Sequence, residues 1–520
     1  MSSEDDSEEF SEELSATGAA SSGPPEISFY GGKWMSAFPL AFFVVWAIVQ
    51  SGVLRIGDTT GLVAGMLIAL ILGMLFAKGS WKNYANTIFE GMTRRVAATA
   101  VVAWLWAGMF AETIQVGGFV DGLVWAADAA GIGASVFPAA TFILAALLAT
   151  GIGTGYGTTV AFTTLFFPAG ILIGANPVLL FGAILSGAVF GDNLAPVSDT
   201  TIVSAVTQDS DIGGVVASRF KYAVLAAVIA FVGYLVAGAS MQGFDVAGQE
   251  DLLAAASEPA GLLHLLSMLV VIGTAVAGRH IIEAISWGII VAFIFNVVFG
   301  LASVSDMVVF NAPENLDIAQ SLAVLPFVEL VDAGSTGVGG SFYSGAQGFF
   351  PLIVLVLLIV AGAQIMIRGG GFQAIQDWLL ESVATTVRRA EITMVFGTAL
   401  VNAMITINTA AEIAIGPYIA RLGERFNING YRRANILDAN TAALGYIFPW
   451  SGGVLVGFAV IQDLPEQYDW FTQAMVVNPA DVVLYVFHGW VLVIVFLLAA
   501  LTGFGLEYTS DRESEEVERL

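Results

Sequence analysis

Long apolar runs separated by short polar stretches dominate the chain. They fall near 34–54, 59–77, 96–115, 133–150, 156–175, 177–200, 221–240, 261–279, 281–302, 348–368, 389–407, 408–421, 434–460 and 483–505. Most approach the roughly 20 residues that a helix needs to cross about 30 Å of hydrocarbon. The 408–421 run is too short to span if straight. The runs are continuous rather than alternating, which argues against a transmembrane β-barrel. The pattern predicts an all-α polytopic membrane protein with 12–14 transmembrane helices. Trp81, Tyr84, Ile88 and Phe89 are interleaved with Lys82, Asn83 and Glu90. That spacing predicts an amphipathic helix lying in the membrane interface. Residues 372–389 read as a second such helix or as a plain polar connector.

Charge orients the runs. Lys78, Lys82, Arg94 and Arg95 mark one loop, and Arg219 with Lys221 a second. Arg368, Arg388 and Arg389 mark a third; Arg421, Arg425, Arg432 and Arg433 mark a fourth. Basic loops stay in the cytoplasm. The loops 241–260, 303–347 and 461–482 carry no Lys or Arg and are expected outside. Strict alternation through the fourteen runs satisfies every one of these loops and leaves both termini cytoplasmic.

Composition agrees. The chain is 57% hydrophobic and 12% charged, against about 25% charged in soluble domains. Much of the net charge of −25 lies in 1–13 and 507–520, acid-rich tails expected to be disordered. The first has no basic region and does not read as a signal peptide. Cys is absent and His occurs three times, which excludes thiolate chemistry and leaves little for a His-based metal site. No nucleophile constellation suggests an enzyme. No Lys or Arg is expected in the middle of any span, so a polar site inside the membrane would suit a cation.

The chain also reads as a repeat. Pro196-Val197-Ser198 and Pro449-Trp450-Ser451 both lie deep in apolar runs, at an offset of 449 − 196 = 253. That offset carries the runs from 96 to 240 onto or near runs between 348 and 505, with opposite direction through the membrane. Two inverted five-helix repeats with discontinuous helices follow as the expected architecture. The divisions are a tail (1–32), two leading helices plus the interfacial helix (33–95), the first repeat (96–240), linking helices and an external loop (241–347), the second repeat (348–505) and a tail (506–520).

The polar residues inside these runs are the candidate chemistry. Gly191-Asp192-Asn193-Leu194-Ala195-Pro196-Val197-Ser198-Asp199-Thr200-Thr201 ends one apolar run. An Asp at the bilayer centre costs about 2.5–3.5 kcal/mol, so such a group needs a role. Pro196 cannot donate to the carbonyl of Asp192 and its ring clashes there. A break is expected, with free carbonyls beside Asp192, Asn193, Ser198, Asp199 and Thr200. Hard cations take such oxygens, and Na⁺ is expected at Asp192 and Asp199 in exchange for a proton.

A glycine-rich stretch holds Gly153, Thr154, Gly155, Tyr156, Thr158 and Thr159. It lacks the Lys and the strand of a phosphate loop; it reads as an unwound region or as close helix packing. Its repeat mate holds Asn402, Asn408, Thr409 and the carboxylate Glu412, with a break expected at Pro417. Asp438 and Ser451 complete the second half, with another break at Pro449. Asp438 could instead pair with Arg433 at headgroup level. Glu112 reads equally as a pathway or an interfacial residue.

The stretch from Gly191 to Thr201 resembles the G-D-x-x-S/A-P-x-S-D-T-T signature of NhaC-type sodium/proton antiporters, in the ion transporter superfamily. Gly153-Thr154-Gly155-Tyr156-Gly157-Thr158 resembles the family's G-T-S-x-G-T element, and Pro449-Trp450-Ser451-Gly452-Gly453 its P-W-N-x-x-G element. The three occur in family order across most of residues 60–500. The resemblance implies secondary active exchange of Na⁺ for H⁺ across the plasma membrane, with no cofactor. It implies membrane lipids as surroundings and no nucleic acid; a homodimer stays open. Tyr156 and Ser451 depart from the family pattern, which leaves a coupled carrier of a small organic acid or amino acid as the alternative.

Overall fold

The computed structural model describes residues 27–509 apart from 80, 245, 247, 257 and 380–382. The bulk of both acidic tails, 1–26 and 510–520, lies outside the described residues. Residues 27–32, expected within the disordered tail, are folded instead. Ile27 and Phe29 are buried, and the Lys78 amide donates to the Ser28 carbonyl at 2.7 Å. Two apolar side chains with a place to bury outweigh the polar composition around them. Residues 507–509 likewise pair, edge to edge, with 427–429.

The protein is a polytopic helical membrane protein. Among the described residues, nine helical stretches are long and apolar enough to cross a membrane, and two shorter apolar helices accompany them. In chain order the main helices are α1 (Phe38–Ala47), α2 (Thr59–Leu75), α3 (Trp81–Met92), α4 (Arg95–Val116), α5 (Phe119–Ala129), α6 (Phe137–Ile152), α7 (Gly155–Ile173), α8 (Pro177–Leu194), α9 (Asp199–Thr207) and α10 (Ile212–Ser240). They continue as α11 (His264–Val276), α12 (Ile281–Phe299), α13 (Phe350–Arg368), α14 (Gly371–Trp378), α15 (Val387–Ile405), α16 (Asn408–Arg425), α17 (Gly430–Leu444), α18 (Gly452–Gln467) and α19 (Phe487–Thr502). A small sheet, β1 (Val309–Pro313), β2 (Val328–Val331) and β3 (Gly337–Gly339), has the order β2-β1-β3 within the acidic 303–347 loop.

Burial separates centre from rim. The apolar window of α7 is 94% buried and that of α8 83%, against 22% for α10 and 28% for α12. An apolar helix buried on every side sits in a packed core; one exposed along most of its length offers that face to lipid. The amphipathic α3 turns Tyr84, Thr87 and Gly91 inward, while Trp81 and Phe89 stay exposed.

Two hairpins define the core. Only Gly153 and Thr154 separate α6 from α7, and both are buried. The chain therefore turns around inside the protein rather than at a membrane surface. A Cβ on Gly187 would lie 2.4 Å from Ala145, and one on Gly191 2.1 Å from Ala149. These matched four-residue spacings bring α6 and α8 together, running parallel, as small residues do between membrane helices. The second hairpin is α15–α16, turning at Thr406 and Ile407, and its tip touches the first: the Asn408 amide donates to Tyr156 Oη at 3.4 Å. The start of α18 packs against both, the Gly452 amide donating to the Thr406 carbonyl at 3.0 Å with Tyr156 beside Gly452.

Helix starts recur at the offset seen in the sequence. Residues 155, 177 and 199 open α7, α8 and α9; 408, 430 and 452 open α16, α17 and α18. The segment through the α8–α9 break runs antiparallel to α17. From Asp192 through Thr201 to Gln208, the partners run backward from Tyr446 through Asp438 to Arg433.

Candidate functional site

The breaks lie where the hairpin tips meet. α8 stops at Leu194 and α9 starts at Asp199, with Pro196 between them. α17 stops at Leu444 and α18 starts at Gly452, with Pro449 between them and Ser451 at the N-cap position of α18, its hydroxyl donating back to the Phe448 carbonyl at 2.7 Å. Pro417 behaves otherwise than expected: it lies inside α16, which runs unbroken from Asn408 to Arg425. A proline removes one backbone donor, and a helix held on several sides by neighbours tolerates that loss. The break sits before α16, at the hairpin tip, where Thr406 takes a left-handed conformation with φ 65°.

Asp192 is the hub. One carboxylate oxygen accepts from Ser198 Oγ at 3.0 Å and from the Gly155 amide at 3.4 Å. The other accepts from Tyr446 Oη at 3.2 Å and Asn408 Nδ2 at 3.3 Å. Its carbonyl, deprived of a helical donor by Pro196, accepts from Thr200 Oγ1 at 3.2 Å and Thr201 Oγ1 at 3.5 Å. Ser198 and Thr200 hydroxyls are 3.0 Å apart. Asp199 is half-buried and accepts from Thr409 Oγ1 at 3.3 Å. Tyr156 Oη accepts from the Asn408 amide at 3.4 Å. The structure thus gathers Asp192, Ser198, Asp199, Thr200, Gly155, Tyr156, Asn408 and Thr409 at one place. Thr154, Asn408, Thr409, Tyr156, Asp192, Asp199 and Thr200 line a cleft of about 40 Å³, whose other wall is Val96, Thr99, Ala100 and Ala103 of α4 with Ile281 and Ile407.

The remaining candidates stand around this hub. Gly153 is left-handed, φ 72°, and a Cβ there would lie 2.4 Å from Val197; it carries the turn under the break. Thr158 and Thr159 spend their hydroxyls on the α7 carbonyls of Thr154 and Gly155, so they shape the helix rather than face Asp192. Asn402 Nδ2 donates to the Thr441 carbonyl at 2.7 Å. Glu412 is fully buried; one oxygen accepts from the Thr441 hydroxyl and the other has no partner. Glu112 lies apart, buried and accepting from Gln467 Nε2 at 3.2 Å.

Asp438 pairs with Arg219, not with Arg433. Arg433 reaches the carbonyls of Ala420 and Gln208. Arg219 also corrects the expectation of a core without fixed positive charge. It sits in the second turn of α10 with no exposed surface, and α10 begins at Ile212, earlier than the apolar run suggested, so the basic residue is drawn into the bundle. Tyr446 and Arg219 are the contacts the sequence reading missed. Tyr446 is one residue beyond the 253 offset from Asp192, which is the signal that pointed nearest to it.

The donors are carboxylates, hydroxyls, amides and carbonyls. Among the described residues no group of three or more His, Cys, Asp or Glu side chains converges as a metal site. Oxygen donors of this kind are those that hard cations take.

Comparison with known proteins places this geometry. The sequence model of the Na⁺/H⁺ antiporter family matches residues 27–239 and 205–490. The malate-2H⁺/Na⁺-lactate antiporter of Bacillus subtilis is 29% identical over 34% of this chain and 37% of its own length. The arginine/ornithine antiporter ArcD of Halobacterium salinarum is 22% identical over 81% of this chain and 86% of its own length. The Na⁺/H⁺ antiporter NhaC of Alkalihalophilus pseudofirmus is 24% identical over 30% and 34%. The matched stretch spans little more than a third of the Bacillus subtilis relative. The family match covers most of the chain and both sides of the Asp192 break: the chain belongs to the Na⁺/H⁺ antiporter family.

Proposed function

We propose that the protein exchanges Na⁺ for H⁺ across the cell membrane, with Asp192 as the carboxylate that carries either ion. The observation that carries this is the setting of Asp192. It is buried at a helix break, beside the hydroxyl oxygens of Ser198 and Thr200 and its own freed carbonyl, with the Asn408 side-chain amide donating to it and Asp199 and Thr409 nearby. A dehydrated Na⁺ needs several oxygens at once, and an unwound segment supplies them without moving whole helices. One carboxylate shared by both ions makes loading of one require loss of the other. The cleft of about 40 Å³ holds an ion with little water, since one water needs about 10–15 Å³ measured this way.

The cleft walls start at Val96 and Ile281, each just after basic residues, Arg94 with Arg95 and Arg279. The positive-inside rule puts those ends in the cytoplasm, so this conformation faces inward and both termini are cytoplasmic. The two repeats then cross in opposite senses.

A second reading, exchange of a cationic amino acid coupled to Na⁺ or H⁺, is favoured by the arginine/ornithine antiporter matching 81% of this chain. Asp192 and Asp199 would then take the substrate's cationic end. Purified protein in proteoliposomes decides between the two. Na⁺ alone should drive proton movement reported by a pH dye. No response to Na⁺, with a response to arginine or ornithine, would overturn the first reading.

A further inference from the structure

We propose that Arg219 is a tethered counter-cation of the exchange site, a positioning residue whose charge sets how strongly Na⁺ binds at Asp192. This rests on reading Asp192 as the ion-carrying carboxylate. The guanidinium is enclosed and its donors are engaged. Nη1 donates to the Asp438 carboxylate, to the Asn193 carbonyl at 2.6 Å and to Thr201 Oγ1 at 3.4 Å. Nη2 donates to Ser204 Oγ at 3.3 Å and Nε to Asn435 Oδ1 at 3.1 Å. With its fork turned to protein groups, it does not present itself to an anionic substrate.

What it does touch is the break. The Asn193 carbonyl is in the last turn of α8, at the negative end of that helix, where a cation is favoured. Thr201 Oγ1 stands within 3.4 Å of Asp438 Oδ2 and 3.5 Å of the Asp192 carbonyl. A full positive charge therefore sits one peptide unit from Asp192. Asp438, on α17 of the other half, cancels it with one oxygen, while its second oxygen has no partner. The pair presents little net charge to an entering ion. Separated, its members do not: an uncompensated guanidinium this close opposes a second cation and is itself attracted to Asp192.

The test is the Na⁺ concentration giving half-maximal proton movement in proteoliposomes. Asp438→Asn should raise it at least tenfold, because Arg219 then competes for Asp192. Adding Arg219→Gln to that variant should recover most of the loss. Arg219→Lys with Asp438→Asn should stay impaired, since the effect follows charge and not shape. Arg219→Gln alone should lower the half-maximal concentration threefold or more, and this variant decides the matter if Asp438→Asn does not elute as folded protein. A double variant as impaired as Asp438→Asn, or weaker Na⁺ binding in Arg219→Gln, makes Arg219 merely structural and overturns the proposal. Failure of the underlying exchange reading looks different: the wild-type protein would then show no Na⁺-driven proton movement at all.

Discussion

Gly155 has no side chain where Tyr446 must pass to reach Asp192, and Gly155→Ala is the sharpest perturbation of the site. The new Cβ would lie 2.1 Å from Tyr446 Oη, 2.8 Å from Cζ and 3.0 Å from the Ala188 carbonyl oxygen. Ordinary contact begins near 3.4 Å, so the ring must retreat by roughly 1.3 Å, the amount by which close-packed side chains resist overlap. The Tyr446–Asp192 hydrogen bond, 3.2 Å long, does not survive that retreat. A hydrogen bond to a charged group is worth about 1.5–3 kcal/mol, and overpacking adds about 1–3 kcal/mol. The variant should therefore lose about 2.5–6 kcal/mol at the site. Its thermal aggregation midpoint should fall, and its Na⁺-driven proton movement should fall tenfold or more. Tyr446→Phe loses the hydrogen bond without the clash and should be milder. Because Phe removes the nearest clashing atom, Gly155→Ala should cost less in that background than in wild type, a non-additive pair. Full stability and transport in Gly155→Ala, or strict additivity with Tyr446→Phe, would refute the reasoning.

Three further outcomes follow from the same structure. Pro196→Ala permits α8 to continue and should abolish exchange, whereas Pro417→Ala, inside an unbroken helix, should keep exchange and leave the melting midpoint equal or higher; proteoliposome assays and thermal melts check both. Glu391 and Arg432 form a buried pair at 2.6 Å; Arg432→Met alone should cost about 3–5 kcal/mol and sharply lower the yield of folded protein, while Glu391→Leu with Arg432→Met recovers it, as judged by size-exclusion elution. Outside the membrane, the Tyr431 hydroxyl, and then the Gly214 amide, hold the exposed Asp211 carboxyl below its usual range. Its contribution to stability is present above about pH 4 and is lost as pH falls further, and NMR titration of Asp211 should show the shift diminish in Tyr431→Phe.

How much of this was legible in the sequence depends on range. Asp192 and Pro196 declared themselves because a carboxylate and a helix-breaking residue are each costly in an apolar run. The alternation of basic and acidic loops does not distinguish a re-entrant hairpin from two full spans, because a hairpin that enters and turns back, such as α6–α7 or α15–α16, returns the chain to its starting side just as two spans do. The buried turn at Gly153 and Thr154 is a packing property, and apolar runs alone do not tell it from a surface loop. Pro417 misled because a local rule about proline was outweighed by tertiary packing around α16. Arg219 looked like half of a cytoplasmic pair with Lys221, and only the fold turns one inward and leaves the other at the surface. Tyr446, 254 residues from its partner, and Asp438, 219 residues from Arg219, are joined by the meeting of the two halves.

The most direct test of the account is uptake of radioactive Na⁺ into proteoliposomes holding the purified protein, with an imposed pH gradient as the sole driving force. The account predicts that wild type accumulates Na⁺ against its gradient, and that Asp192→Asn, folded and inserted to the same extent, accumulates none. Uptake by Asp192→Asn equal to wild type would contradict the central claim.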